Sequence, residues 1–255
     1  MRALPRYDAH THTRFSDGRN SVLQMARAAE AADLDCVVIT DHYRPGDRWV
    51  EAMLAEVEAA DAACQVKVLA GLEVAIADAD GVVHLEPDRA DSVDLVLAEL
   101  CPETKGVGTD APADPGAFLR GVCRATVAAC HNPLVDAIAH PLNVGSFQAT
   151  AAPDDFRAAE LVEMAAAFAA THTAFEICNQ AYAWFPDIPI GRFTRQYAEI
   201  AHVFRQYQVL FLLGSDAHGA GAVGNLSWAH RVLELAGVPA VQVVDLPATG
   251  PRRPL

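Results

Sequence analysis

The 255-residue chain reads as an α/β protein folded into one closed or nearly closed parallel barrel. Three observations predict it. Seven short apolar runs recur along the chain, helical stretches separate them, and the carboxyl end of each run carries a polar or metal-ligating side chain. Seven βα-like units in one chain suit a barrel better than an open sheet.

The strand candidates are "YDAH" (7–10), "CVVIT" (36–40), "VKVLAG" (66–71), "VDLVLAEL" (93–100), "DAIAH" (136–140), "TAFEIC" (173–178) and "VLFLLG" (209–214). Runs that are apolar on both faces indicate a parallel sheet covered by helices. Alanine-rich helical patterns fall near 21–32, 49–63, 115–130, 154–171, 190–206 and 225–236, with Ser21 and Asp154 as N-cap candidates. No tandem repeat or composition break marks a second domain. One barrel domain is expected over 1–244, followed by a Pro-rich, loosely attached tail over 245–255.

The composition narrows the partners. A hydrophobic content of 52% builds a sizeable core without staples. The 19 basic and 33 acidic residues give a net charge of −14, which repels long nucleic acids and anionic membranes. An anionic substrate would then need a local reversal of sign, which bound divalent cations supply. No run approaches the ~18 apolar residues of a membrane span. The N-terminus lacks an apolar stretch of signal-peptide length. The 6 cysteines form no CxxC pair and read as reduced, mostly buried thiols, so a cytoplasmic setting is expected.

The polar residues carry the functional signal. "DAHTH" holds His10 and His12, which share a face on extended backbone. "VVITDH" ends in Asp41 and His42, "VLAGLE" in Glu73, and "LAELCPE" holds Glu99 and Cys101. "DAIAHP" holds His140, "FEICN" holds Glu176 and Asn179, and "LLGSDAH" ends in Asp216 and His218. In a parallel barrel all these ends meet at one mouth. Imidazoles mixed with carboxylates suit Zn, Mn or Fe better than Ca or Mg, and the set has room for two or three ions. His84, His131, His172, His202 and His230 read as ordinary structural histidines.

The motifs "DAHTHTRFSDG", "ITDH", "GLE", "AHP", "FEICN" and "GSDAH" resemble, in order and spacing, the PHP (polymerase and histidinol phosphatase) superfamily. The resemblance implies a distorted (βα)7 TIM-like barrel with a two- or three-metal site at its mouth. It also implies hydrolysis of a phosphate ester, histidinol-phosphatase-like or nucleotide-directed, by a metal-bridging hydroxide. Carried over by position, His10 and His12 look like ligands of the first ion. Glu73 looks like a bridge to the second, and Asp216 completes the first. His140 looks like a ligand of the second ion, and Asp17, His42 and His218 form the shell of a third. His218 or His42 would protonate the leaving alcohol.

One position departs from the family pattern. Where a histidine ligand is normal after the fourth strand, this chain has Cys101, which either biases the second site toward Zn²⁺ or is a silent core thiol. Arg14, Arg44 and Arg192 are the candidate phosphate clamps, and "AYAWFPDIPIGRF" (181–193) is a candidate lid. The expected partner is a small phosphorylated substrate. Two rival readings stand beside this one. The first is a non-catalytic metal-binding module acting through a protein partner. The second is an amidohydrolase-type barrel, which would want a bridging lysine where this chain offers only Lys67 and Lys105.

Overall fold

All strands of the sheet run parallel, and seven rungs follow one another around it. They are β1 (Tyr7–Asp8), β2 (Cys36–Ile39), β4 (Lys67–Ala75), β5 (Leu95–Glu99), β6 (Ala137–Ile138), β7 (Ala174–Cys178) and β8 (Phe211–Gly214). The two-residue β3 (His42–Tyr43) pairs with β4 beyond the end of β2, so it prolongs the β2 rung. The structure, a computed structural model, describes residues 3–108, 110–147 and 151–246. The ring is nearly closed. The Ala9 N–H donates to the Leu213 carbonyl at 3.0 Å, the Asp216 N–H to the His10 carbonyl at 2.9 Å, and Thr11 bridges Ala217 in parallel.

Among the described residues seven α-helices cover the outside: α1 (Val22–Ala31), α2 (Val50–Ala63), α3 (Pro87–Ala90), α4 (Pro115–Cys130), α5 (Ala158–Thr171), α6 (Ile190–Gln206) and α7 (Ser227–Ala236). Helix α1 buries Val22, Met25, Ala26 and Ala29, the i, i+3, i+4, i+7 stripe of a helix lying on a sheet. Ser21 caps it and Gln24 answers from the third position, a reciprocal capping box. Rings from β7, β8, α5 and α6 interlock in the core, with Phe175 and Phe204 centred 4.7 Å apart.

The seven expected strands and six helices are all present, with three corrections. β4 runs on to Ala75, because its apolar side chains stay buried past Gly71. Asp154 is not a helix cap: residues Pro153–Asp155 form a 3-10 turn, α5 starts at Ala158, and Asp154 pairs with Arg192. The short α3 was not anticipated. Leu246 is buried, so core packing continues into the first residues of the expected tail, whose residues 247–255 lie outside the described ones. Among the described residues no helix is long and apolar enough to cross a membrane.

Candidate metal centre

The barrel mouth collects its side chains by register. Glu73 on β4 is level with His42 on β3 and Leu97 on β5, and Glu99 follows two residues later on the same face as Leu97. His10 and His12 emerge where β1 ends, opposite Asp216 and His218 after β8. His140 follows β6.

At the centre, four ligand atoms converge. His10 Nε2 lies 3.0 Å from His12 Nε2, 3.2 Å from Glu73 Oε2 and 3.6 Å from Asp216 Oδ1. His12 Nε2 is 3.4 Å from the same Glu73 oxygen and 3.2 Å from the same Asp216 oxygen. A second group adjoins the first: His140 Nε2 is 3.2 Å from Glu73 Oε1, and His42 Nδ1 is 3.1 Å from Glu73 Oε2. A third group sits toward solvent. Asp17 Oδ2 lies 3.1 Å from His218 Nε2 and 3.7 Å from His42 Nε2, with His12 Nδ1 3.8 Å from Oδ1.

This donor set fits divalent cations. Five carboxylates, Asp17, Glu73, Glu99, Glu176 and Asp216, crowd five imidazoles in a largely buried space. Lone pairs packed so closely repel unless protons or cations lie between them. His12 Nδ1 and His140 Nδ1 are buried without a hydrogen-bond partner among the described residues. The electrostatics agree. Burial opposes charge on His10, yet the carboxylates of Glu176, Glu73 and Asp216 hold its pKa well above the usual histidine range. His140 is raised to about 9 against the same burial cost, chiefly by Glu73. Glu73 is buried as well and is nonetheless held far below the usual glutamate range, first by His10. Burial, then the neighbouring Glu73, pushes the Glu99 carboxyl up to about 8. The pocket thus demands positive charge from whatever source fills it.

Buried carboxylates behind this layer fix its geometry. Glu176 Oε1 meets His10 Nδ1 at 2.8 Å, and its Oε2 accepts the His140 backbone N–H at 2.7 Å. Asp41 accepts the N–H and hydroxyl of Thr13, at 2.7 and 2.6 Å, and the hydroxyl of Ser16, at 2.6 Å. It thereby pins the loop that presents Asp17. Asp8 accepts the N–H groups of Ser215 and Gly224, both at 2.9 Å, tying β1 to the segment after β8. Gln180 donates to the carbonyls of Ser215 and Asp216. His140 and Asp216 have left-handed backbone, with φ of 31° and 56°. Non-glycine residues hold such angles where surrounding structure enforces them, and two of the expected ligand residues do so here.

Of the expected ligands, His10, His12, Asp17, His42, Glu73, His140, Asp216 and His218 all come together. Cys101 does not join them. Its N–H and thiol both engage the Thr104 hydroxyl, and Glu99 occupies the space beside Glu73 and His42 instead. The arginines also fall differently. Arg14 is ion-paired to Glu56 and Arg192 to Asp154, and Arg44 is exposed with its backbone N–H on Asp47. Arg19, which sequence reasoning passed over, donates its backbone N–H to the His218 carbonyl, and its guanidinium lies against Gly219. From the aromatic stretch, Trp184 rests edge-on against His140 with ring centroids 5.0 Å apart. The five remaining histidines are exposed. Lys67 stands at the opposite end of β4 and pairs with Asp61, so it cannot bridge ions at the mouth.

Residues 8–107 match the profile of the PHP domain. Over its wider length it is similar to curated relatives. A probable phosphatase of Thermoanaerobacter sp. (strain X514) is 28% identical over 248 residues, covering 91% of this chain and 86% of that protein. A probable phosphatase of Syntrophotalea carbinolica is 29% identical over 244 residues, covering 93% and 90%. Among solved structures, histidinol phosphate phosphatase from Lactococcus lactis, complexed with zinc, L-histidinol and phosphate, superposes with a TM-score of 0.67 at 18% identity. That match covers 93% of this chain and 95% of the other. That likeness is one of fold: the chain has the same TIM-like architecture.

Proposed function

We propose that the chain is a metal-dependent phosphoesterase acting on a small phosphate monoester. The observation that carries this reading is the convergence of His10, His12, Glu73 and Asp216 on one point, with His140, His42, Asp17 and His218 around it. His10, His12, Asp216 and Glu73 would hold a first ion, Glu73 and His140 a second, and Asp17, His42 and His218 a third. Bound there, Zn, Mn or Fe would supply positive charge for the phosphoryl oxygens and lower the pKa of water. The phosphatase names of the full-length relatives support the reaction class.

The chain's own residues supply the rest. Glu176 keeps the His10 ring in one orientation, and Asp41 pins the loop that presents Asp17 through Thr13 and Ser16. With the third site empty, His218 or His42 would protonate the leaving oxygen, because both are partly exposed beside Asp17 while His10 and His12 are sealed. Trp184 borders the mouth on the His140 side, where the organic part of the ester would lie. The fold's acidic exterior favours a small ester over a long nucleic acid.

The test is hydrolysis of a panel of phosphate monoesters by chelator-treated and metal-restored protein. Chelation should abolish turnover, and Mn²⁺ or Zn²⁺ should restore it. Full activity in chelator with no detectable metal, or no turnover on any ester by metal-loaded protein, would overturn the proposal.

A further inference from the structure

We infer that Glu99 is a metal ligand of this centre, taking the role that the family pattern gives to position 101, and that Cys101 is not. The inference rests on the metal-dependent reading above. Register carries it first: Ala75 pairs with Glu99 and Glu73 with Leu97, so Glu99 projects from the same face one step nearer the mouth than Leu97. Distance carries it second. His42 Nδ1 is 3.5 Å from Glu99 Oε1 and 3.1 Å from Glu73 Oε2, and the ligand atoms of these three residues lie within 4.8 Å of one another.

The surroundings leave the Glu99 carboxylate little else to bind. Its side chain is 18% exposed, and no lysine or arginine pairs with it among the described residues. Two adjacent, poorly hydrated carboxylates repel, and a divalent cation between them removes the conflict. Cys101 lies past the end of β5, where the chain has turned. Its carbonyl accepts the Thr104 N–H at 2.9 Å, its own N–H donates to Thr104 Oγ1 at 3.0 Å, and its thiol lies 3.8 Å from that hydroxyl. The thiol buckles a turn.

The exchange changes the chemistry of the second site. A thiolate would favour Zn²⁺ strongly, whereas two carboxylates and an imidazole form a harder set that accepts Mn²⁺ or Fe²⁺. The experiment strips the full-length protein with chelator, reloads it with Mn²⁺ alone and counts ions per chain by elemental analysis, for wild type, Glu99→Gln and Cys101→Ser. Glu99→Gln should hold one ion fewer than wild type, and Cys101→Ser should hold the same number. Wild type loaded with Co²⁺ should show no near-ultraviolet thiolate-to-cobalt charge-transfer band, a readout that needs no variant to fold. Wild-type stoichiometry in Glu99→Gln would overturn the inference, as would a thiolate band that vanishes in Cys101→Ser. Wild type that binds no ion at all would instead sink the metal-dependent reading itself.

Discussion

One carboxylate, Glu176, ties together two residues from different strand ends: its Oε1 meets the His10 ring at Nδ1 at 2.8 Å, and its Oε2 takes the His140 backbone N–H at 2.7 Å. With a proton held on His10 Nδ1, the lone pair of Nε2 faces Glu73 and His12. A ligand imidazole is commonly fixed this way by the partner on its other nitrogen. Glu176 sits at the middle of β7 with no solvent exposure, so nothing else can take its place.

Glu176→Gln should therefore weaken metal binding about 10–100-fold while leaving the fold intact. The amide keeps the shape but has one acceptor where two are needed. If its NH₂ faces His10, the ring must switch tautomer and place a proton on the nitrogen that faces the centre. Metal titration of the apo protein checks this. An unchanged affinity would show that the His10 tautomer is set elsewhere.

Gly214 makes that arrangement possible. A Cβ there would lie 2.1 Å from Glu176 Oε1 and 2.5 Å from the His10 Cβ. Gly214→Ala should cost about 1–3 kcal/mol of stability through overpacking. It should weaken metal binding in the same direction as Glu176→Gln, and the two changes combined should do less than their sum, because they disturb one contact. A thermal melt and a metal titration of the double-mutant cycle measure both.

The sequence made the barrel and most of this centre legible for one physical reason. A parallel barrel sends every strand's carboxyl end to the same mouth, so ligand-type residues at those ends must meet, and His10, Glu73, His140 and Asp216 do. Which of two near neighbours enters the mouth was not legible in the same way. Glu99 and Cys101 share a period-2 face on an ideal strand, and only the end of β5 before Leu100 separates them. Asp154 misled for a similar reason: a good capping residue stands before a helical pattern, yet a 3-10 turn intervenes. The arginines carried no periodic signal, and their ion pairs form with residues 38 to 42 positions away.

On the phosphatase reading proposed above, Arg19 would be the arginine that meets the phosphate. It follows Asp17 closely, its backbone is bound to His218, and among the described residues no salt bridge holds its guanidinium. A charged hydrogen bond of this kind contributes about 1.5–3 kcal/mol. Arg19→Ala should then raise KM for a phosphate monoester about 10–100-fold, with a smaller effect on kcat, whereas Arg14→Ala should leave KM within about twofold. Steady-state kinetics on the metal-loaded enzyme separate the two, and equal effects from both would remove Arg19 from this role.

At the opposite end of the barrel, Asp61 fastens α2 to the start of β4 and gives a pH-dependent prediction free of the metal centre. Its two oxygens accept the Lys67 ammonium at 2.7 Å and the Val68 N–H at 2.8 Å. Partial burial works against the charge, but these two donors overcome it and hold the carboxyl below its usual range. A carboxyl lowered in the folded state stabilises that state at every pH above its unfolded value of about 3.9, and the benefit disappears as pH falls through the folded value. The pair is half in solvent, which limits the contribution to about 1 kcal/mol. Asp61→Asn should thus lower Tm by about 2–4 °C between pH 6 and 8. The gap between variant and wild type should narrow as pH falls below the unfolded value and close below the lowered folded value, where both side chains are neutral. A gap that persisted undiminished in acid would mean that the hydrogen-bond geometry, and not the charge of Asp61, holds this corner.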